Sequence, residues 1–456
     1  MWTTAPLRRA WLTPAGHTLL LFAIAIALGT VLLAMPTASA HGRLATLDAL
    51  FTSTSATCVT GLVVVDTGED LSLFGQLVVL LLIQTGGLGI MTVSTAFLMA
   101  AGRRPSISER LILQDTFTAG KALSLREILA NAMRFTFLME GLGTAVLFLR
   151  FLPNHTLFRA FYLALFHSIS AFCNAGFSPF SDSLIAYSRD VVVNVVFCIL
   201  IISGGLGFLV VSELRRKIPT RGSGHSNLSL HTKLVLTTTA VLLVVGTLLI
   251  LTMERVNTLQ DRPFPDQVLA AFFQSVTART AGFNTVPIAS MANQTLFVLI
   301  LLMFIGASPG SCGGGIKTGT FATLVVWGFS RLRGQLRPQA FQRSISEASM
   351  ARAISVTIIG SLVVIIATFL LLMTEIGGVS HAESRGQFLE LLFESMSAFG
   401  TVGLSMGMTP ELSPAGKIII TLVMYIGRTG PLVIALAITR RKAVHYSYAE
   451  EHVMIG

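Results

Sequence analysis

Eight long apolar runs divide the chain, near 16–34, 74–101, 131–152, 190–212, 232–252, 294–327, 353–373 and 416–438. A helix needs roughly 20 residues to cross about 30 Å of hydrocarbon, and each run supplies them. Between the members of each pair lies a shorter, semi-polar segment, at 46–62, 160–177, 267–283 and 388–404. These four are too short or too polar to span alone. They predict re-entrant hairpins, tolerated at membrane depth only where they line a cavity inside protein. Arg8 and Arg9 before the first run and Ala38-Ser39-Ala40 after it imitate a secretory signal with its cleavage site. The apolar stretch is long for a signal core, and the repeat described next requires a helix here, so a membrane helix is expected.

Four short stretches match one another: Ala56-Thr57-Cys58-Val59-Thr60-Gly61-Leu62, Ala171-Phe172-Cys173-Asn174-Ala175-Gly176-Phe177, Thr277-Ala278-Arg279-Thr280-Ala281-Gly282-Phe283 and Ala398-Phe399-Gly400-Thr401-Val402-Gly403-Leu404. Ten residues before each of these glycines stands a phenylalanine, at Phe51, Phe166, Phe272 and Phe393. The repeating unit is helix, half-helix, Gly loop, helix, and it divides the chain at 1–102, 103–217, 218–332 and 333–456. Each unit crosses the membrane an even number of times, so all four share one orientation about an axis along the membrane normal. The expected fold is an all-α integral membrane protein. Eight membrane helices and four re-entrant pore hairpins surround one central path, the geometry of a potassium-channel pore drawn from a single chain.

Composition agrees. Hydrophobic residues make up 53% and Asp, Glu, Lys and Arg only 12%, about half the charge of a soluble domain. A water-soluble enzyme and a disordered chain are both excluded. Twenty of the 32 basic residues fall in one set of connecting segments, including Arg103, Arg104, Arg215, Arg216, Lys217, Arg331, Arg333, Arg440 and Arg441, against eight in the opposite set. The basic side, with both termini, is therefore expected in the cytoplasm. The net charge of +10 reports topology, and no nucleic-acid partner is implied. Cys58, Cys173, Cys198 and Cys312 are scattered without a CxxC or a neighbouring His cluster, so no metal site or disulfide framework is indicated.

A cation leaving water needs its hydration shell replaced, and rings of backbone carbonyls from four loops do that. Inward carbonyls force some residues into conformations that disfavour a Cβ, which glycine adopts without steric penalty. The candidate filter is Cys58, Val59, Thr60, Gly61; Cys173, Asn174, Ala175, Gly176; Arg279, Thr280, Ala281, Gly282; and Gly400, Thr401, Val402, Gly403. Each second helix is interrupted at a similar distance beyond its loop, at Gly86-Gly87, Gly204-Gly205, Gly306 and Gly427. In three units close packing is the simpler reason. The third differs: Gly306, Pro309, Gly310, Gly313, Gly314, Gly315 and Lys317 lie within 306–319, which cannot form a regular helix. Non-helical backbone at membrane depth faces a water-filled cavity, so this loop is read as a movable gate on the cytoplasmic side of the filter. Arg428 lies mid-membrane, where a charge is functional by default. It is expected to bond the gate's carbonyls, with a tie to Glu140 as the structural alternative. Arg279 is expected to brace its loop from behind, with Glu394 or Glu390 as its partner.

These loops and units resemble the Trk/Ktr/HKT superfamily of potassium transporters, most of all the membrane subunit of bacterial Ktr systems, over roughly 16–440. The resemblance implies K+ as the transported ion. Glycine at all four filter positions goes with potassium selectivity, whereas members with Ser at the first admit sodium more freely. It further implies a homodimer in the bacterial cytoplasmic (inner) membrane, docked on a cytosolic ring of nucleotide-binding RCK-type subunits where ATP and ADP control opening. The gate role of the intramembrane loop has its counterpart there too. This chain carries no nucleotide motif. Its basic loops 102–127, 214–233 and 329–352 and the tail 439–456 are the candidate docking surfaces. Sodium–potassium symport remains an alternative, with Na+ as an activator left open. A proton-coupled secondary transporter or a membrane-embedded enzyme would need paired intramembrane acids or bases, and Glu140 stands alone.

Overall fold

The computed structural model describes residues 14–89, 125–217, 228–335 and 337–430. Fourteen α-helices run through them: α1 Pro14–Leu33, α2 Thr46–Thr57, α3 Leu73–Gly87, α4 Leu125–Phe151, α5 Leu157–Cys173, α6 Val191–Gly205 and α7 Phe208–Lys217. Then follow α8 Leu230–Glu254, α9 Phe264–Thr277, α10 Asn293–Phe304, α11 Thr318–Leu332, α12 Glu347–Glu375, α13 Gln387–Gly400 and α14 Pro414–Thr429. The one departure from an all-helical chain among the described residues is a hairpin of two-residue strands, β1 Gln339–Ala340 and β2 Arg343–Ser344.

Four short helices, α2, α5, α9 and α13, occupy the semi-polar segments. Each lies against the long helix that precedes it. Serine hydroxyls fix three of these contacts: Ser53 donates to Ile26 O at 2.8 Å, Ser168 to Glu140 O at 2.7 Å and Ser275 to Leu243 O at 3.0 Å. Opposite each hydroxyl sits a glycine, at Gly29, Gly143 and Gly246, where a Cβ would overlap it. Small residues let apolar helices approach this closely, and dispersion and hydrogen bonds then replace the hydrophobic drive that lipid does not supply.

The second helix of each set packs on the short helix of the next: α3 on α5, α6 on α9, α10 on α13 and α14 on α2. The last of these contacts returns to the beginning of the chain and closes a ring. Lys417 at the start of α14 pairs with Asp48 in α2 at 2.8 Å across the same junction.

Among the described residues, three helical segments are individually long and apolar enough to cross a membrane: Ala130–Phe151, Leu230–Glu254 and Glu347–Glu375. The run 190–212, expected as one span, is instead α6 and α7 bent by 100° at residues 206–207. The run 294–327 is likewise split into α10 and α11 by a loop at 305–317. Of the runs 74–101 and 416–438, helix is described to Gly87 and Thr429, and residues 90–101 and 431–438 lie outside the described residues. Three helices stop at a glycine of positive φ. Gly89, Gly207 and Gly430 follow α3, α6 and α14 with φ of 76°, 83° and 87°, a region that glycine enters without strain; Gly430, with ψ of 133°, leaves its helix directly into extended backbone. Three residues earlier, Gly86, Gly204 and Gly427 rest on the carbonyl oxygens of Thr57, Phe172 and Phe399 at the ends of α2, α5 and α13. Close packing therefore accounts for these glycines, as expected.

Adding a methyl at Gly204 drives it into the Phe172 carbonyl. Gly204→Ala is expected to destabilise the fold by about 1–3 kcal/mol, as overpacking does. A lowered thermal midpoint of the detergent-solubilised protein would register it, and an unchanged midpoint would refute the contact.

Candidate cation pathway

The loops after α2, α5, α9 and α13 meet at their glycines. A Cβ built on Gly61 would lie no more than 3.0 Å from Ala175 O and the Gly176 Cα. One on Gly176 would meet Ala281 O and the Gly282 Cα, one on Gly282 Val402 O and the Gly403 Cα, and one on Gly403 Thr60 O and the Gly61 Cα. The order is cyclic, so all four loops surround one axis. No residue larger than glycine fits without moving a neighbouring backbone.

The backbone at the four sites shares one conformation. The glycines have φ of 93°, 72°, 78° and 90°, and two residues earlier Val59, Asn174, Thr280 and Thr401 have φ of 56°, 60°, 74° and 48°. A left-handed non-glycine residue costs roughly 1–2 kcal/mol, and a β-branched one such as Val59 is a genuine outlier. Strain of this kind persists only where the surroundings overdetermine it. Here the side chains of Val59 and Asn174 lean on Gly86 and Gly204, and those of Thr280 and Thr401 on Gly313 and Gly314. The residue between each left-handed pair sends its amide back into the short helix: Thr60 N to Ser55 O, Ala175 N to Ser170 O and Val402 N to Ser397 O, all at 2.8 Å. The third loop differs slightly, with Ala281 N bonding Thr277 O at 2.9 Å. Hydroxyls complete the bracing, Ser55 accepting from Gly61 N at 3.1 Å and Ser397 from Gly403 N at 3.0 Å.

With the amides turned backwards, the carbonyls of Thr60, Ala175, Ala281 and Val402 accept no hydrogen bond among the described residues. Four unpaired carbonyl oxygens, each beside the next loop's glycine, are what a dehydrated cation requires. The C-termini of α2, α5, α9 and α13 converge on the same ring. Each such terminus carries about half a negative charge from the aligned peptide dipoles, which also favours a cation.

The 305–317 loop lies against this ring. A Cβ on Gly313 would overlap the Thr280 hydroxyl, and one on Gly314 that of Thr401. Gly306 N donates to Ile316 O at 2.8 Å and closes the loop's neck, while Thr318 and Gly319 already belong to α11. The bend between α6 and α7 holds the far end: Ser308 N donates to Gly205 O at 3.0 Å, Cys312 N to Gly204 O at 3.1 Å, and Phe208 N to Gly310 O at 3.1 Å. Pro309 packs near Gly319, and left-handed Gly310 and Gly315 turn the chain. Lys317 Nζ donates to Gly313 O within the loop. Arg428 donates to Cys312 O and to Gly86 O, so one guanidinium joins the loop to the end of α3. Glu140 is engaged elsewhere, accepting from Gln84 Nε2 at 3.1 Å. Arg279 is buried beside a cavity of about 20 Å³ between Ile202, Gly205, Leu243 and Ala307. The expected pairing with Glu394 or Glu390 is not made. The Glu394 carboxylate is taken up by Ser405, Met406 and Thr409, and Arg279 Nε has no partner among the described residues.

Sequence reasoning placed the loop residues together but missed the left-handed quartet, because Val and Thr carry no signal for that conformation. Its even spacing, two before each glycine, was the available clue. Of the acids that follow the loops, Asp190 caps α6 and pairs with Arg150 at 2.6 Å, and Asp66 accepts amides of its own turn. These contacts are structural.

A family model described as TrkH, cation transport protein, matches residues 20–446. The chain belongs to the TrkH cation transport family. It is 38% identical to Ktr system potassium uptake protein B of Bacillus subtilis over 97% of each chain. It is 35% identical to potassium/sodium uptake protein NtpJ of Enterococcus hirae over 95% of each. The crystal structure of the potassium transporter TrkH from Vibrio parahaemolyticus superposes with a TM-score of 0.70 at 19% identity, covering 92% of this chain and 83% of that one, so the fold is shared. As a TrkH-family chain rich in apolar helices, it is an integral membrane transporter and not an enzyme.

A methyl group at Gly403 meets Thr60 O at a left-handed φ. Gly403→Ala is expected to cut ion uptake by cells at least about tenfold, the effect of some 1.4 kcal/mol at the ring. Unchanged uptake at equal membrane abundance would count against the ring as the path.

Proposed function

We propose that this chain carries potassium into the cell through the four-carbonyl ring, acting as a selectivity filter. The observation that carries this reading is the cyclic set of unpaired carbonyls at Thr60, Ala175, Ala281 and Val402, each against a glycine. The relatives named as potassium uptake proteins support the choice of ion. In this reading the four units 1–102, 103–217, 218–332 and 333–456 form eight spans in the bacterial cytoplasmic membrane, with both termini inside. Two chains form a homodimer on a cytosolic nucleotide-binding RCK-type ring. The 305–317 loop, a non-helical segment pressed on Thr280 and Thr401, acts as the gate, and Arg428 latches it.

A second reading, combined potassium and sodium transport, is favoured by the relative whose name includes sodium. The two differ at the ring. In a bacterium lacking its own potassium uptake, with a candidate RCK partner, the parent chain is expected to restore growth at low potassium. Gly61→Ser is expected to raise sodium entry relative to potassium by about tenfold, equivalent to about 1.4 kcal/mol of lost discrimination. No potassium uptake by the parent, with or without the partner, would overturn the potassium reading. An unaltered preference in Gly61→Ser would overturn the filter.

Arg428→Ala removes both carbonyl bonds of the latch. Hydrogen bonds to charged groups contribute about 1.5–3 kcal/mol each, so the loop is expected to open more often. Potassium flux through purified protein in liposomes should rise at least several-fold, and an equal or lower flux would refute the latch.

A further inference from the structure

Nine residues before the loop glycines stand Thr52, His167, Phe273 and Glu394. In two of the four cases this residue reaches across to the segment that follows its own glycine. His167 is fully buried in α5. Its Nδ1 lies 2.7 Å from Leu163 O, which can only accept, so Nδ1 carries the proton; Nε2 lies 2.9 Å from Ser178 Oγ. Ser178 Oγ accepts from Phe180 N at 2.9 Å, leaving the hydroxyl proton for Nε2. Glu394, fully buried in α13, accepts from Ser405 Oγ at 2.6 Å and Met406 N at 3.0 Å on one oxygen, and from Thr409 Oγ1 at 2.6 Å on the other. Ser405 Oγ in turn accepts from Gly407 N at 2.9 Å.

The two arrangements are the same in outline. A serine two residues after the glycine takes the amide two residues further on and gives its proton to the short helix. The other two loops lack it. Thr52 Oγ1 has no partner among the described residues, and the residue two after Gly61 is Val63. In the third loop Phe273 faces no such serine. Asn284 is tied instead to the second loop's extension, its amide donating to Ser183 Oγ at 3.2 Å and its carbonyl accepting from Leu184 N at 3.1 Å. In the cyclic order of the ring, the second and fourth loops are opposite each other.

We propose that His167 and Glu394 are positioning residues for ion preference, clamping two opposite loops of the ring from behind through Ser178 and Ser405. This rests on the filter reading above. A carbonyl ring discriminates between cations only while its oxygens hold their spacing and number. Helices hold such groups more firmly than loops do. A diagonal pair of clamps limits the ring's width along one diameter, while the other two loops are held by the bonds to Ser55 and Thr277 at the ends of their short helices.

The test is the ratio of potassium to sodium uptake by the full-length protein in liposomes, with membrane-inserted protein quantified for each variant. Glu394→Leu, His167→Leu, Ser405→Ala and Ser178→Ala are each expected to lower the ratio by about tenfold, equivalent to about 1.4 kcal/mol. Glu394→Gln keeps an acceptor for Ser405 and Met406 and is expected to retain most of it. Thr52→Val, at the same register in an unclamped loop, should leave the ratio unchanged. If the leucine variants fail to accumulate, the two serine variants decide. An unchanged ratio in both serine variants, or an equal loss in Thr52→Val, overturns the proposal. Gly61→Ser in the same assay separates the two readings: if it shifts the ratio and the serine variants do not, the clamp alone is wrong. If it too leaves the ratio unchanged, the filter reading is what fails.

Discussion

Four glycine backbones in mutual contact are the constraint on which the rest of this molecule depends. At Gly61, Gly176, Gly282 and Gly403 the next loop's carbonyl occupies the space a Cβ would need. Peptide loops do not hold such an arrangement alone, because unpaired carbonyls repel one another and left-handed residues resist the turn. The short helices answer both problems. They draw the loop amides backwards onto Ser55, Ser170 and Ser397, and this commits the carbonyls to the axis. Their C-termini supply the negative potential that makes the site attractive to a cation.

The short helices are in turn held by arrangements that need very small side chains. Serine hydroxyls pin three of them to the long helices opposite Gly29, Gly143 and Gly246. On the other side, Gly86, Gly204 and Gly427 let the second helices rest on the carbonyls at the short helices' ends. Much of the chain's glycine is thus spent where backbone meets backbone inside an apolar protein, which explains why a strongly helical chain tolerates so much of it. Other glycines end the helices. A residue chosen for close packing is followed three positions later by one that stops the turn, at Gly89, Gly207 and Gly430.

The ring was legible in the sequence because glycine recurs at one offset from phenylalanine in four places, where a Cβ would meet the next loop's backbone. The interrupted third unit was legible from Gly306 to Gly315 for a similar reason, since that composition excludes a helix. What the sequence did not reveal are features that several residue types satisfy. The 100° bend after Gly205 falls at the Gly204-Gly205 interruption, which reads equally well as close packing within a continuing apolar helix. Hydropathy reports solvent and not direction, so 190–212 read as one span. The left-handed state of Val59 and Thr401 is imposed by tertiary contacts against local preference. The partner assigned to Arg279 failed because Glu394, though correctly placed in the short helix, has three donors nearer at hand in its own loop.

The third unit is where the cyclic arrangement gives way. Its loop amides bond Thr277 in a different pattern, and its loop carries Arg279. Its second helix is broken by the 305–317 loop rather than ended by a single glycine. These departures are connected. A loop that must pass under the ring needs attachments other than its own helix. It finds them in the α6–α7 bend through Gly204, Gly205 and Phe208, and in Arg428 of α14 through Cys312. The loop is thereby tied to the α6–α7 bend and to α14, and its Gly313 and Gly314 lie against Thr280 and Thr401. Glycine contacts give little dispersion energy to hold a loop in place, whereas the hydrogen bonds at its far side are directional and few. The loop is therefore fastened mainly at its far side, while Thr280 and Thr401 of the ring lean on its Gly313 and Gly314. Selection and gating, in the reading proposed here, are therefore served by neighbouring parts coupled through the contacts of Thr280 and Thr401 with the loop.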